Sequence, residues 1–289
     1  MFENFETGTA SPEGVAIHYR RGGAGPPLLL LHGYPQTHIL WRKMAPELAK
    51  RFTVVCPDTR GYGDSGKPVA DADNQLYSKR TMAKDMAGLM RGLGFPSFAV
   101  CGHDRGARVA YRLALDHPDA VAKLCVLDIL PTHATWQRMD KDLATGMYHW
   151  LFLAQAGGLP EKMIGDDPDH YLVEKLRRWS KDFSAFEPAA LDAYKTAFRD
   201  PASIAATCAD YRAGATSDFV HDGEDFGRRM IVAPTLVLWG EGGLAKRVAD
   251  PLAIWRKWAT DVSGHAIACG HFLPEEAPAE TAAALLRFL

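Results

Sequence analysis

The sequence has no run of about 18 apolar residues, so no membrane span is expected. An excess of one charge sign is missing too. Lys and Arg total 33 against 35 Asp and Glu, a formal net charge of −2, which gives no reason to expect a nucleic-acid partner. Cysteine is sparse and odd in number: Cys56, Cys101, Cys125, Cys208 and Cys269 form no CxxC pair. That excludes a disulfide framework and suits buried thiols in a reducing cytoplasm. The eleven histidines show no HExxH-type spacing, so neither a metal nor another cofactor is expected. The segment GYGDSGK (61–67) lacks the GxxxxGK[ST] spacing of a phosphate loop and reads as a structural turn. The stretch MFENFETGTASPEG is acidic and has no apolar h-region, so no secretory signal is expected. Repeats and low-complexity tracts do not occur.

What is present is an alternation of strand-like and helix-like segments. GVAIHYRRGG reads as an early strand, PPLLLLHG as a strand buried on both faces, and THILWRKMAPELAKR as a helix. FTVVCPD, SFAVCGHD and VAKLCVLDI read as strands, separated by the helices SKRTMAKDMAGLMRGLG and RGARVAYRLALDHP. Such alternation predicts an α/β fold: a mostly parallel sheet flanked by helices. From residue 132 to 228 the pattern is helical and rich in aromatics. The strand pattern then returns in IVAPTLVLWGEGG and SGHAIACGHF, followed by a terminal helix. The division expected is a core domain of residues 1–131 and 229–289, with an inserted helical cap domain of 132–228.

Ligands of open α/β sheets bind at the carboxyl ends of the strands. Four such ends carry suggestive chemistry: His32-Gly33-Tyr34-Pro35, Asp104 within Gly102-His103-Asp104-Arg105-Gly106, Asp128, and His271. The order of nucleophile, acid and histidine, with the glycine-framed turn, is that of an α/β-hydrolase triad in which aspartate replaces serine. The plainer reading of Asp104 is a helix N-cap, and that of Asp128 a turn residue. Glu241 in WGEGG is the rival acid and His265 the rival base. Arg105 and Arg108 lie three apart on a helix and share a face beside Asp104. Two guanidiniums there suit a substrate carboxylate, with a surface salt-bridge pair as the alternative.

Over its whole length the sequence resembles the α/β-hydrolase superfamily, and within it the fluoroacetate (haloacetate) dehalogenases. The segments that carry the likeness are HGYPQ (32–36), DTRGYGDSGKP (58–68), GHDRGAR (102–108), LDILP (127–131), HW (149–150), DYRAG (210–214) and GHF (270–272). The resemblance implies a hydrolase acting on the carbon–halogen bond of a haloacetate to give glycolate and halide, with a small-molecule substrate and a homodimeric state.

It also implies roles. Asp104 is the nucleophile, His271 the base that activates water, and Asp128 the residue that orients it. The backbone N–H groups of Tyr34 and Arg105 form an oxyanion hole. His149, Trp150 and Tyr211 hold the halide, as an alternative to packing within an aromatic helix. Trp179 and His103 line the pocket. Relatives acting on neutral haloalkanes or epoxides typically carry tryptophan where Arg105 stands. An epoxide hydrolase using tyrosines among Tyr148, Tyr171, Tyr194 and Tyr211 is the alternative enzyme, and a non-catalytic binding protein the alternative class.

Overall fold

The computed structural model describes residues 1–243 and 250–289. Eight strands form one sheet: β1 Glu6–Ala10, β2 Ile17–Gly22, β3 Pro27–Leu31, β4 Thr53–Pro57, β5 Phe98–His103, β6 Val121–Leu127, β7 Thr235–Gly240 and β8 Val262–Ile267. Their order is β1-β2-β4-β3-β5-β6-β7-β8. β1 pairs antiparallel with β2, and β2 with β4; all later pairings are parallel. The fold is therefore α/β, as the alternation predicts.

The helices of the first part are α1 Ala45–Leu48, α2 Lys79–Gly92 and α3 Arg105–Asp116. Between β6 and β7 come α4 Thr132–Trp136, α5 Lys141–Gly146, α6 Tyr148–Leu153, α7 Leu159–Asp166, α8 Pro168–Trp179, α9 Pro188–Phe198, α10 Pro201–Ala215 and α11 Ser217–Asp225. The chain closes with α12 Pro251–Trp255, α13 Leu273–Glu276 and α14 Pro278–Phe288. Among the described residues no helix is long and apolar enough to cross a membrane.

The run PLLLL of β3 is buried on both faces because successive side chains alternate across the sheet. Leu29 and Leu31 join the apolar cluster under α2 and α3, whereas Leu28 and Leu30 join the cluster under α1 and α14. All five cysteines are buried and free, and Cys56, Cys101, Cys125 and Cys269 belong to the second cluster.

Two local expectations are revised. THILWRKMAPELAKR is not one helix. It is a 3-10 turn over His38–Lys43 and the four-residue α1. Pro46 has no N–H to give to a preceding carbonyl, so a continuous helix cannot pass through it. The strand β1 lies in the N-terminal stretch that showed no strand signal. Its side chains are mostly exposed, so no apolar alternation marks it.

The parallel register aligns the ends of the central strands. Leu31 pairs with Gly102, His103 with Leu127, and Leu127 with Leu238. Whatever follows β3, β5, β6 and β7 therefore emerges along one edge. At the turn after β5, α3 sits close against the β3 end because Gly106 has no side chain. A Cβ there would overlap the carbonyl oxygens of Leu31 and His32. Gly106→Ala should therefore cost about 2 kcal/mol or more by overpacking and lower Tm by roughly 5 °C. Thermal melts of the two proteins followed by circular dichroism check this; an unchanged Tm would refute it.

Candidate active site

Asp104 occupies the sharp turn between β5 and α3 with φ 47° and ψ −117°, a conformation that costs a non-glycine residue of order 1–3 kcal/mol. Its carboxylate does not cap the helix; no side-chain cap bond forms there. Instead Oδ1 accepts a 2.9 Å hydrogen bond from the backbone N–H of Tyr34, in the turn that follows β3. Gly33 makes that approach possible, since a Cβ on it would press on the Asp104 side chain.

His271, in the loop after β8, faces two carboxylates. Its Nδ1 lies 2.6 Å from Asp128 Oδ2, and its Nε2 lies 3.8 Å from Asp104 Oδ2. Asp128 follows β6 and is fixed by its other oxygen, which accepts from the Gly240 N–H at 3.0 Å. Gly243 leaves room for this carboxylate, because a Cβ there would collide with it. Glu241 is exposed at the end of β7, and its N–H donates to Ile267. His265 lies on β8, exposed, six residues before His271. His103 donates from Nε2 to the His271 carbonyl at 2.8 Å, and the His271 N–H donates to the Trp179 carbonyl at 2.9 Å. The imidazole is thus held by its backbone as well as by Asp128.

The charges follow from burial and from neighbours. Burial works against ionising Asp104, but the fields of His271, Arg108 and Arg105 outweigh it and hold the carboxyl below its ordinary value. For His271, burial opposes the charged form, and the hydrogen bond and charge of Asp128, with the charge of Asp104, raise it above 6.5. His103 is pushed down to about 3 by burial and by His271, so it is neutral.

A cavity of about 200 Å³ opens above these groups, small for a ligand pocket. Its walls include Asp104, Asp128 and His271 from the sheet edge, Arg108 from α3, and Tyr148, His149, Trp150 and Trp179 from the helices between β6 and β7. The two expected arginines part company here. Arg108 reaches the cavity wall, where Nη1 donates to the Leu130 carbonyl and Thr132 Oγ1, each at 3.0 Å. Arg105 turns toward α10: Nε and Nη2 donate to the Asp210 carboxylate at 3.0 and 2.5 Å, and Nη2 also to its carbonyl at 2.7 Å. Its guanidinium lies 4.2 Å from the Tyr211 ring centre, and that of Arg108 4.5 Å from the Trp150 ring.

Tyr211 packs edge-on to His149 at 5.6 Å and to Tyr34 at 5.3 Å. It is buried behind the wall residues rather than among them. Trp179 stands on the wall 4.5 Å from His149, whereas His103 lies beneath His271. Two buried donor-capable atoms of wall residues, Arg108 Nε and His149 Nδ1, have no partner among the described residues, and neither do Arg105 Nη1 and Tyr211 Oη, which lie outside the wall.

The α/β hydrolase fold family matches residues 26–278 of this chain. The chain belongs to the α/β-hydrolase family. It is 44% identical to a fluoroacetate dehalogenase from Burkholderia sp, over all of this chain and 95% of that protein. It is 34% identical to a soluble epoxide hydrolase from Corynebacterium sp. (strain C12), over 92% of this chain and 90% of that one. A crystal structure from Nostoc sp PCC 7120, described as an α/β hydrolase, superposes with a TM-score of 0.98 at 54% identity, covering 100% of this chain and 99% of that one. The kinship with haloacetate dehalogenases read from the motifs therefore holds.

For this α/β hydrolase, the residue that pattern reading missed is Asp210. It lies under Arg105 and also receives Tyr62 Oη at 2.7 Å and the Lys79 ammonium. Burial alone would raise its pKa; Arg105 and Lys79 instead hold it well below the carboxylate range. The only signal was its place beside Tyr211 in DYRAG, since an acid on a helix is otherwise unremarkable.

One three-residue group elsewhere, His18, His38 and Asp58, brings metal-type atoms within 4.8 Å of one another. Asp58 already accepts from the His38 N–H at 2.7 Å and the Asp64 N–H at 2.9 Å, and its Oδ1 lies 2.9 Å from His38 Nδ1. It ties the GYGDSGK turn to the loop after β3, consistent with a structural turn.

Two outcomes follow from these pairings. Asp210→Asn leaves Arg105 uncompensated in the interior and Lys79 with Asp218 alone, at 3.5 Å, and urea denaturation should show a loss of about 3–5 kcal/mol. Asp128→Asn removes the main force raising His271, so an NMR titration should show the His271 pKa falling relative to the parent. Because that pKa is raised in the folded state, the pair stabilises fully below about pH 6.5 and its contribution fades as pH rises through the folded value. An unshifted His271 would contradict the assignment.

Proposed function

We propose that this α/β hydrolase is a hydrolytic dehalogenase that converts a 2-haloacetate and water to glycolate and halide, with residues 132–228 acting as a cap domain over the core. The observation that carries the reading is the small cavity whose wall holds an ionised, strained Asp104 together with two residues bearing unpartnered donor-capable atoms, Arg108 Nε and His149 Nδ1. Arg108, with Arg105 Nη1 outside the wall, suits a substrate carboxylate, and His149 and Trp150, with Tyr211 outside the wall, suit a leaving halide. The 44% identity to the Burkholderia fluoroacetate dehalogenase supports the same substrate class. The resemblance to that family read from the motifs carries the proposal of a homodimer, and the five buried free cysteines that of a reducing cytoplasm.

In the first step an Asp104 oxygen attacks the α-carbon in line. The carbon–halogen bond breaks, its electron pair leaves with the halide, and a carboxymethyl ester of Asp104 remains. The arginines hold the substrate carboxylate so that the α-carbon meets the nucleophile. In the second step His271 takes a proton from water, and the resulting hydroxide attacks the ester carbonyl of Asp104. The oxyanion is met by the N–H groups of Tyr34 and Arg105, of which the Tyr34 N–H already bonds the carboxylate. Collapse releases glycolate and restores Asp104, and His271 returns to neutral as its proton is lost. Asp128 holds the ring and stabilises its charged form.

The epoxide-hydrolase reading is favoured by the Corynebacterium relative. Against it stands a buried cation, Arg108, on the cavity wall with no salt-bridge partner among the described residues. Its four candidate tyrosines are also unevenly placed: Tyr194 is spent on Glu275 at 2.7 Å, and of the four only Tyr148 lines the cavity.

The test is a panel of fluoro-, chloro- and bromoacetate beside a simple epoxide, with halide, glycolate and diol measured. Halide release from at least one haloacetate is expected; diol without halide would replace the proposal with its rival. Asp104→Asn should lose at least about a thousandfold in kcat. His271→Ala should accumulate the carboxymethyl ester, seen as added mass on the peptide that carries Asp104. The acid limb of the kcat profile should lie above pH 6.5, since His271 must be neutral to act as a base and its pKa is raised.

A further inference from the structure

Lys175 lies on α8 and is only 2% exposed. No carboxylate among the described residues forms a salt bridge with it. The four acids of α7 and α8 are engaged elsewhere: Glu161 by Arg212, Asp166 by Lys162, Asp169 by Arg199 and Glu174 by Arg177. Its ammonium bonds the Tyr148 hydroxyl and sits over three rings, 3.7 Å from the centre of Tyr148, 4.9 Å from Tyr171 and 5.7 Å from Trp179. Tyr148 and Trp179 are cavity walls, and Trp179 touches His149. A buried lysine with one hydroxyl and aromatic faces but no counter-charge is costly, and an apolar residue would fill that space at lower cost.

The site's other charges are matched. Asp210 answers Arg105, Asp128 answers His271, and in the dehalogenase reading the substrate carboxylate answers Arg108. Displacement then moves one negative charge from Asp104 to the halide beside His149, where no fixed cation is assigned. We propose, on that reading, that Lys175 compensates the charge of the departing halide, acting from behind Tyr148, His149 and Trp179 without touching it. Lys175 is thus a positioning residue, setting the potential of the halide site.

Burial and the nearby charge of Arg178 push the Lys175 ammonium down to about 7, so its charge fades in the neutral range. The titratable groups that face it are Tyr148 and His149 on α6, and Tyr171 and Arg178 on its own helix. His149 is held neutral by burial and by Lys175 itself. His271 also titrates near the cavity, so the pH dependence of the parent alone does not isolate Lys175. Comparison with Lys175→Arg does, because it fixes the charge and keeps His271.

The experiment is a bromide titration, followed by tryptophan fluorescence, of the parent, Lys175→Met and Lys175→Arg between about pH 6 and 9. The parent should bind bromide about tenfold more tightly at the acid end. Lys175→Arg should keep tight binding to the alkaline end. Lys175→Met should bind weakly throughout, while its Tm stays level or rises as an unpaired buried charge is removed. Parent-like binding and pH dependence in Lys175→Met would overturn the proposal. So would alkaline loss of binding in Lys175→Arg equal to that of the parent, or weak binding in Lys175→Met that comes with a lowered Tm, which marks a merely structural lysine. Bromide binding needs no turnover. A protein that shows the expected titrations yet releases no halide from haloacetates would refute the function proposed above and leave the halide site standing.

Discussion

The turn at Asp104 is the constraint on which the site is built. A carboxylate-bearing residue is held at φ 47° between a buried strand and a buried helix, and that arrangement stands only because its neighbours give way. Gly102 and Gly106 let α3 lie against β5 and the end of β3. A Cβ on Gly102 would fall 2.5 Å from the backbone of Ala107. Gly33 lets the next loop reach the carboxylate with the Tyr34 N–H. Strain of this kind is kept where the surroundings over-determine it, and here the parallel sheet supplies the surroundings.

Around that turn the protein places more cations than a neutral interior tolerates and then neutralises them selectively. Asp210 takes up Arg105 and Lys79, and Asp128 takes up His271. Arg112 is met by Asp225, and Arg42 by Glu275 at 2.7 Å. Arg108 and Lys175 are the buried cations at the cavity that these acids leave unmatched. In the dehalogenase proposal those two cations answer the two anions of the reaction, and the matched pairs make the helices between β6 and β7 electrostatic partners of the sheet edge. Asp210 is the clearest link, since it joins α10 to α3 through Arg105 and to α2 through Lys79.

The legible part of the sequence was the part governed by local rules. The buried runs of β3, β5, β6 and β7 announced themselves through apolar continuity, and the glycines around Asp104 announced the turn. The chain order of Asp104, Asp128 and His271 named the groups that meet. β1 stayed silent because an exposed edge strand has no apolar alternation, and Pro46 broke a segment whose spacing otherwise suits a helix.

Residue types and spacing by themselves determined an α/β fold of the hydrolase family, with an aspartate at the sharp turn and two arginines beside it. Only the tertiary structure decided how those arginines are used. Arg105 and Arg108 are equivalent on a helical wheel, yet one is taken by an acid more than a hundred residues away and the other reaches the cavity. The same holds for Asp128 over Glu241, and for Lys175, whose burial no local pattern marks. Pairing between distant charges depends on which side chains packing leaves dry and adjacent, and that is a property of the assembled layers rather than of any short stretch of chain.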